Sequence, residues 1–343
     1  MSLDLRRIVT AALPPPPPVS VVIPAHNAAR WLGRAIESVL AQEHPVDLIV
    51  VDDGSTDGTA LAAAAYAPRL RLLSVPNGGA SEARNHGLAR ATAPFILFLD
   101  ADDRLEPGSL RAWSEALRTA GADIAFGPFA TERDGILTPG TGAAPGRDLL
   151  ADWLRGRATP PCAVLWRRSF VQQIGGWRPV LRNQDGELCM RALIEGARVT
   201  FAAKGRGVWV HHDGPHRISR RTGPAVIASE CAALGALEAL AAARGVTVSD
   251  AFGAAYYRLA YHGFFAGAKD EARAALARSR ALGFAGHGGR RIHRGLATVL
   301  GLERKVRLTA AARRLIGAAA GRAGAAEADR QGTTASTAPP LRD

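Results

Sequence analysis

Hydrophobic residues in the N-terminal half of the chain form short continuous runs, separated by amphipathic segments. The apolar runs predict buried strands, at Val19–Pro24, Asp47–Asp52, Leu70–Val75, Pro94–Leu99 and Asp123–Phe126. Apolar residues at helical spacing between these runs predict helices, including Ala29–Gln42, Ser81–Ala91 and Ser109–Ala120. Strands of this kind alternating with helices indicate an α/β fold, with a mostly parallel sheet covered by helices on both faces.

The pattern changes beyond these elements. Residues Gly135–Gly146 are rich in glycine, proline and threonine and predict a loop. Further elements are expected, namely helices Asp148–Arg155 and Asp185–Glu195 and strands Cys162–Trp166 and Val208–His212. Helix N-caps are expected at Ser55 or Thr56 and at Ser81. Four regions follow: a flexible proline-rich leader (1–18), an α/β domain (19–222), a basic helical region (223–320) and a disordered tail (321–343).

The net charge of +12 is concentrated near the C-terminus. Residues 290–314 contain eight arginine and lysine residues and one acid, Glu303. Such a segment can contact the anionic head groups of a membrane, or it can be a solvated face. No aromatic residue is interleaved with these basic residues, so we expect no nucleic-acid partner.

The cysteine content and the leader bear on cellular location. Cys162, Cys189 and Cys231 are scattered, which suits neither a disulfide framework nor a zinc site and favours a reducing compartment. The leader has no convincing signal peptide. The best apolar stretch, Cys231–Ala243, is interrupted by Glu238, so no membrane span is expected. These features predict a cytoplasmic protein.

Acidic residues follow two of the predicted strands, where ligands of parallel sheets bind. Asp100 and Asp102, separated by Ala101, can share a hard divalent cation that also binds a diphosphate. The alternative is a polar turn capped by Asp103. Asp53 can accept the imide hydrogen of a uracil ring, or it can belong to a simple turn. A calcium loop starting at Asp53 is excluded, because Ala64 stands where the final acidic ligand is required.

Four ordered blocks resemble a known enzyme family. They read VSVVIPAHNAARWLGRAIESVLAQ, VDDGSTDGT, NGGASEARNHGLARA and FLDADDRLEPGSL, and the similarity extends over Val19–Ser219. The chain resembles the family 2 glycosyltransferases, which are inverting and have a GT-A fold. The resemblance implies transfer of a sugar from a nucleotide-diphosphate donor, with a UDP-sugar favoured, to a hydroxyl of a cell-surface glycan or glycolipid. It also implies Mg²⁺ or Mn²⁺ as cofactor.

The resemblance also implies site residues. Pro24, Ala25 and Asp53 correspond to residues that bind the base, Arg84 to one beside the diphosphate, and Asp100 and Asp102 to ligands of ribose and metal. The full nucleotide-sugar set is Pro24, Ala25, His26, Asn27, Asp53, Gly54, Arg84, Asp100, Ala101 and Asp102. His26 replaces the usual tyrosine; it can still stack on a base, but the identity of the base is less fixed.

A general base is expected at the start of a later helix. Gln184-Asp185-Gly186-Glu187-Leu188, followed by Arg191, resembles the family's acidic helix start, which implies that Asp185 accepts the acceptor hydroxyl proton. Asp185 can instead serve the helix dipole, and Glu187 is the lesser candidate. His212 resembles a late family histidine that approaches the metal, and His216 is a weaker candidate.

The sequence leaves two other functions open. A sugar nucleotidyltransferase would need a glycine-rich phosphate loop after the first strand, where this chain reads PAHNAAR. A catalytically inactive GT-A scaffold would not need Asp100, Asp102 and Asp185. Among six tryptophans, Trp177 is the first candidate for a platform that stacks on the acceptor sugar.

Overall fold

The structure is a computed structural model that describes residues 17–212, 221–284, 303–305 and 308–309. These residues divide into two compact units. The first runs to Arg221 and includes Ala232–Phe252, and the second comprises Thr222–Cys231 and the residues from Gly253 onward. All predicted site residues in the described part of the chain lie in the first unit. The basic segment 290–314 lies almost entirely outside the described residues, and the tail 321–343, His216 and most of the leader lie wholly outside them.

A seven-stranded sheet forms the centre of the first unit. Its strands are β1 (Val19–Ala25), β2 (Val46–Asp53), β3 (Arg71–Val75), β4 (Phe95–Phe98), β6 (Ile124–Phe126), β9 (Val164–Arg167) and β10 (Val199–Phe201). Their order is β10-β6-β9-β4-β1-β2-β3. Neighbouring strands are parallel except at β9, which runs antiparallel to β4 and β6. The predicted mostly parallel sheet is therefore confirmed, with one reversed strand in its interior.

Helices of the first unit connect these strands. They are α1 (Ala29–Leu40), α2 (Thr59–Ala64), α3 (Ala80–Arg90), α4 (Ser109–Thr119), α5 (Leu149–Leu154), α6 (Arg168–Gln173) and α7 (Gln184–Ile194). As the helical spacing predicts, α1 buries Leu32, Ile36 and Val39. These side chains pack with Val21 and Ile23 of β1 in the main hydrophobic core.

The predicted N-caps are wrong. Helix α2 begins later than expected, after Gly58, and α3 begins after Gly79, so Ser81 lies inside the helix. Ser55 instead accepts a hydrogen bond at Oγ from the Asn27 N–H (3.0 Å). The hydroxyl near a helix start thus joins two loops, a tertiary contact that local sequence does not reveal.

A second sheet has four strands, and one of them lies within the region predicted to be a loop. Its strands are β5 (Arg104–Leu105), β7 (Phe129–Arg133), β8 (Ile136–Pro139) and β11 (Gly207–His211), in the order β5-β11-β7-β8. The loop prediction for Gly135–Gly146 is therefore wrong at β8. Asp134 (φ 51°) and Gly135 (φ 77°) form a two-residue turn between β7 and β8. An Asp-Gly pair with two positive φ angles is a typical hairpin turn, so this signal was present in the sequence.

Three helices follow the site-bearing region: α8 (Pro224–Ala243), α9 (Ser249–Ala266) and α10 (Lys269–Ala281), confirming the predicted helical C-terminal region. Helix α8 has 20 residues and a mean hydropathy of 1.6, enough by length and composition to cross a membrane. The expectation that no stretch is long enough is therefore wrong, since the apolar run begins before Cys231 and tolerates Glu238. A single such helix is weak evidence for a span, because core helices of soluble proteins can meet the same criterion.

Candidate active site

The loops after β1 and β2 are bound to each other beside the carboxyl ends of these strands. Asn27 adopts a left-handed conformation (φ 51°), and its side-chain Oδ1 accepts a hydrogen bond from the Thr56 N–H (2.9 Å). The Ala28 N–H donates to Thr59 Oγ1 (2.8 Å). Asn27 is therefore a structural tie between the two loops, which fixes the backbone around Pro24, Ala25 and His26.

Asp53 ends β2 and is buried. Its two carboxylate oxygens accept hydrogen bonds from the Gly78 and Gly79 N–H groups (2.8 and 2.9 Å), which holds the loop before α3. Each oxygen keeps a second lone pair, so the predicted contact with a base remains chemically open. Gly54 has φ +63°, and a Cβ there would lie 2.7 Å from the Asn77 nitrogen, so this position requires glycine.

His26 lies exposed over this loop with its ring held in place. The Asp53 carbonyl oxygen is 2.7 Å from His26 Nδ1, and it also accepts from Asn77 Nδ2 (3.0 Å). Asn77 Nδ2 also lies 3.0 Å from His26 Nδ1, so the Asp53 carbonyl and the Asn77 amide both contact this ring nitrogen. Asn77 was not singled out from the sequence, although it is the first residue of the quoted block NGGASEARNHGLARA.

Three acidic side chains cluster after β4. Carboxylate oxygens of Asp100, Asp102 and Asp103 all lie within 4.8 Å of one another. Asp100 and Asp102 are half-buried, whereas Asp103 is buried and accepts a hydrogen bond from the Val210 N–H (2.9 Å). Asp103 therefore joins the turn to β11 and does not cap α4, which begins after Gly108. Asp100 and Asp102 are the better placed of the three for a ligand.

Arg84 connects α3 to the acidic cluster. Its guanidinium donates to Asp100 Oδ1 (2.5 Å) and to Gln184 Oε1 (3.1 Å). The same group lies 4.4 Å from the centre of the Trp177 ring. Arg84 is buried, so these contacts fix a positive charge beside Asp100.

Trp177 supports Arg84 and is buried, packed edge-on against Phe98 (centroids 5.0 Å apart). It therefore cannot serve as an open platform for a sugar, and that expectation is wrong. The Asn85 side chain makes two hydrogen bonds with the Trp177 backbone. Its Nδ2 donates to the Trp177 carbonyl, and its Oδ1 accepts from the Trp177 N–H (both 2.8 Å). Asn85 supports the site and was not singled out from the sequence, whereas Gln184, which also supports it, belongs to the element quoted for the predicted general base.

Asp185 and Glu187 lie two residues apart in the first turn of α7 but differ in surroundings. Burial and the negative charge of Asp100 raise the pKa of Asp185, with Arg84 opposing them. Glu187 is buried in a two-point pair with Arg191 (2.8 and 2.9 Å), and Arg191 also donates to the Gly176 carbonyl. Glu187 is therefore structural, whereas Asp185 has the surroundings of a proton acceptor.

His212 follows β11 and lies beside Asp102. Its Nε2 is 2.9 Å from Asp102 Oδ2, and its ring stacks on the indole of Trp31 (centroids 4.3 Å apart, planes at 22°). The structure thus brings together four of the predicted residues from distant parts of the chain, Arg84, Asp100, Asp102 and His212. Asp185 lies near enough for the charge of Asp100 to affect it.

Part of this arrangement lies in a segment that matches a known family. The family model "Glycosyl transferase family 2" matches residues 20–170, the segment that carries the loops after β1, β2 and β4. Residues 20–170 are therefore similar in sequence to the family 2 glycosyltransferases. The matched segment also contains Arg84, Asp100 and Asp102, so the acidic cluster lies within the family domain.

The chain is also similar in sequence to individual proteins. The succinoglycan biosynthesis protein ExoO of Rhizobium meliloti is 45% identical over 117 residues, covering 33% of this chain and 34% of its own. The succinoglycan biosynthesis protein ExoU of the same organism is 42% identical over 211 residues, covering 55% of this chain and 60% of its own. The chain thus matches between about a third and three fifths of the length of these relatives.

Solved structures show the same fold. Residues 1–349 of Staphylococcus aureus TarS, in complex with UDP-GlcNAc, superpose with a TM-score of 0.57 at 16% identity, over 77% of this chain and 90% of that fragment. The mannosyltransferase PcManGT from Pyrobaculum calidifontis, in complex with GDP-Man and Mn²⁺, gives a TM-score of 0.50 at 20% identity, over 90% of this chain and 88% of that protein. These likenesses confirm the predicted GT-A fold.

Proposed function

We propose that this chain is an active, inverting family 2 glycosyltransferase that transfers a sugar from a nucleotide-diphosphate donor to a hydroxyl group. The observation that carries the proposal is the meeting of Arg84, Asp100, Asp102 and His212 at one edge of the sheet, with Asp185 close to Asp100. A catalytically inactive scaffold would have no need to hold these five side chains together.

The metal-ligating atoms of this site fit a divalent cation. Asp100 and Asp102 offer oxygen ligands that are half-buried and close together, and His212 adds a nitrogen beside Asp102. Oxygen-rich sites of this kind suit Mg²⁺ or Mn²⁺. When bound, such an ion stabilises the negative charge of a leaving diphosphate. PcManGT binds Mn²⁺ with its sugar nucleotide, which supports the same assignment here.

Other residues of the chain are proposed to bind the diphosphate and to accept the proton of the acceptor hydroxyl. Arg84 holds a fixed positive charge beside Asp100, where a diphosphate is proposed to lie. Asp185, with its raised pKa, accepts the proton of the acceptor hydroxyl as that oxygen attacks the anomeric carbon. Attack on the face opposite the leaving nucleotide, in a single step, inverts the anomeric configuration.

The nucleotide base is proposed to bind at the loops around Pro24, Ala25, His26, Asn27, Asp53 and Gly54. UDP is the favoured nucleotide, and the TarS complex with UDP-GlcNAc supports it. The acceptor class, a cell-surface glycan or glycolipid, is supported by the succinoglycan biosynthesis proteins. We propose cytoplasmic action, with peripheral membrane contact through the basic region that lies largely outside the described residues.

A nucleotidyltransferase is the weaker alternative. The loop after β1 carries no run of glycines, and its backbone is fixed by Asn27 and Ala28 to the neighbouring loop. No basic side chain in this loop takes part in those bonds. The loop thus differs from the glycine-rich phosphate cradle that such enzymes use.

A thermal-shift screen tests the proposal. UDP, GDP, dTDP and their sugars would be added with and without Mn²⁺, and a rise in melting temperature with one nucleotide and metal together is expected. The best sugar nucleotide is then assayed for sugar release or transfer by wild type and by Asp102→Ala. Equal turnover by both proteins, or no turnover of any donor by the wild type, would contradict the proposed function.

A further inference from the structure

Trp31 is a partly exposed aromatic residue beside the proposed active site. It lies in the first turn of α1, where its N–H donates to the Ala28 carbonyl (2.8 Å). Ala28 is in turn held by Thr59, and the next residue, Leu32, is buried in the main core. The backbone that carries the indole is therefore anchored on two sides, and the ring is presented from a rigid position.

The backbone of His212, unlike that of Trp31, lies just outside a regular element. It lies one residue beyond His211, the last residue of β11 paired with β7. Its imidazole nevertheless has a defined orientation, stacked on Trp31 and with Nε2 2.9 Å from Asp102 Oδ2. The two contacts act on different parts of the ring: Trp31 contacts its face, and Asp102 contacts its edge.

We propose that Trp31 is a positioning residue that holds the His212 ring so that Nε2 faces Asp102 and the proposed metal site. This inference rests on the proposed function. A flat imidazole stacked on a fixed indole keeps its plane while its edge stays available for a polar partner. Residues that orient a metal-binding histidine affect metal binding without contacting the metal themselves.

A sugar-binding platform is the competing role for Trp31. One face of the indole is covered by His212, and the Arg30 guanidinium lies 4.7 Å from the ring centre. Both neighbours occupy surface that a sugar ring would need for stacking. The two roles differ in what a substitution changes: a platform changes the KM for acceptor, and a positioning residue changes metal binding.

A spectroscopic experiment tests the stack directly. In proton NMR spectra, a histidine ring stacked on an indole has ring-proton resonances displaced by the indole ring current. The His212 resonances are identified by their absence from His212→Ala. We expect them to move toward ordinary histidine positions in Trp31→Leu and to move less in Trp31→Phe, which keeps a flat ring. Unchanged His212 resonances in Trp31→Leu would overturn the inference.

Binding of Mn²⁺ in the presence of UDP, followed by the electron paramagnetic resonance of free Mn²⁺, tests the consequence. Trp31→Leu is expected to weaken Mn²⁺ binding about tenfold, and Trp31→Phe should restore most of it. Trp209→Leu is the matched control, because Trp209 contacts the neighbouring His211 (centroids 4.2 Å apart) instead of His212. It should bind Mn²⁺ like the wild type even if its melting temperature falls.

Two results would contradict the positioning role of Trp31. Unchanged Mn²⁺ binding in Trp31→Leu, with or without a higher KM for acceptor, would overturn it, as would an equal loss in Trp209→Leu. If the wild type itself does not take up Mn²⁺ with UDP, the metal site of the proposed function fails and the positioning role fails with it. That result is distinct from a loss confined to Trp31→Leu.

Discussion

Acidic residues occur at both ends of the seven-stranded sheet, and the two ends hold them differently. Near the amino ends of the strands, Asp47 accepts hydrogen bonds from Ser20 Oγ (2.8 Å), Arg71 Nη2 (2.5 Å) and Thr92 Oγ1 (3.1 Å). Asp123, just before β6, is paired in the same way with Arg198. These carboxylates hold strands and loops together.

At the carboxyl ends, Asp100, Asp102 and Asp103 are gathered, with carboxylate oxygens within 4.8 Å of one another. Asp100 and Asp102 lie close together, each with a cationic or titratable neighbour, Arg84 or His212. The pKa shifts run in opposite directions. Burial alone would raise the pKa of Asp47, but the bonds from Ser20, Arg71 and Thr92 outweigh it and lower that pKa. At the other end, burial and Asp100 raise the pKa of Asp185.

The difference in pKa shift distinguishes carboxylates that stabilise the fold from carboxylates suited to proton transfer. A carboxylate whose charge is fully satisfied contributes to folding and has little tendency to take up a proton. A carboxylate that is buried near another negative charge costs folding free energy when ionised, and it is a better proton acceptor. The comparison therefore predicts that substitutions at the two ends affect different measurements.

The largest effect is expected from Asp185→Asn. Loss of a general base lowers the transfer rate by about 10²–10⁴-fold. In the wild type, the rate should fall on acidification through the pKa of Asp185, at a higher pH than an ordinary aspartate would give. The pH dependence of kcat, measured with the donor identified by thermal shift, checks this prediction.

The stability of the same variant provides its control. The folded-state pKa of Asp185 lies above the unfolded value, so its favourable contribution is present below the unfolded pKa and lost as pH rises through the folded pKa. At neutral pH, Asp185→Asn should therefore be at least as stable as the wild type. Wild-type activity in Asp185→Asn would contradict the role of Asp185, and a lower stability at neutral pH would contradict its raised pKa.

The next largest effect is expected from Glu187→Gln, on stability. Breaking its buried pair with Arg191 costs about 3–5 kcal/mol of unfolding free energy, because it leaves a buried charge without its partner. Urea unfolding followed by circular dichroism measures the loss. The folded fraction of Glu187→Gln should show the same pH dependence of kcat as the wild type. If kcat instead falls at a different pH on the acid side of the profile, Glu187 takes part in proton transfer.

The smallest effect is expected from Asp47→Asn. Loss of charge-assisted hydrogen bonds at this half-buried site should cost about 1–2 kcal/mol at neutral pH. The pKa of Asp47 is lowered in the folded state, so its contribution is present above the unfolded pKa and lost as pH falls through the folded pKa. Unfolding of both proteins at several pH values should therefore show a difference that fades in acid, with transfer activity unchanged throughout.

Much of the fold was predictable because the strands of the central sheet are continuous apolar runs. β1, for example, is buried on both faces, which makes its sequence unlike that of a helix or loop. The reversed direction of β9 was not predictable, because strand direction depends on long-range pairing. β8 was missed because its residues are all exposed and end in proline, although the Asp134-Gly135 turn indicated a hairpin.

The candidate site was predictable where residues follow strands, as Asp53, Asp100 and Asp102 do. Supporting residues were harder to find, because their partners are distant in sequence. Asn85 and Trp177 are 92 positions apart, and no local pattern connects them. Trp31 looks like an ordinary amphipathic helix residue until His212 is placed against it.

Asp100 and Asp102 are proposed to form one site that binds a nucleoside diphosphate together with a divalent metal. Isothermal titration of UDP with and without Mn²⁺ tests it, using wild type, Asp102→Ala and, as the control from the opposite end of the sheet, Asp123→Ala. We predict that Mn²⁺ increases the affinity for UDP in the wild type and in Asp123→Ala. In Asp102→Ala, the increase in affinity produced by Mn²⁺ should be smaller by a factor of at least about ten. The same Mn²⁺-dependent affinity in Asp102→Ala as in the wild type would contradict the account.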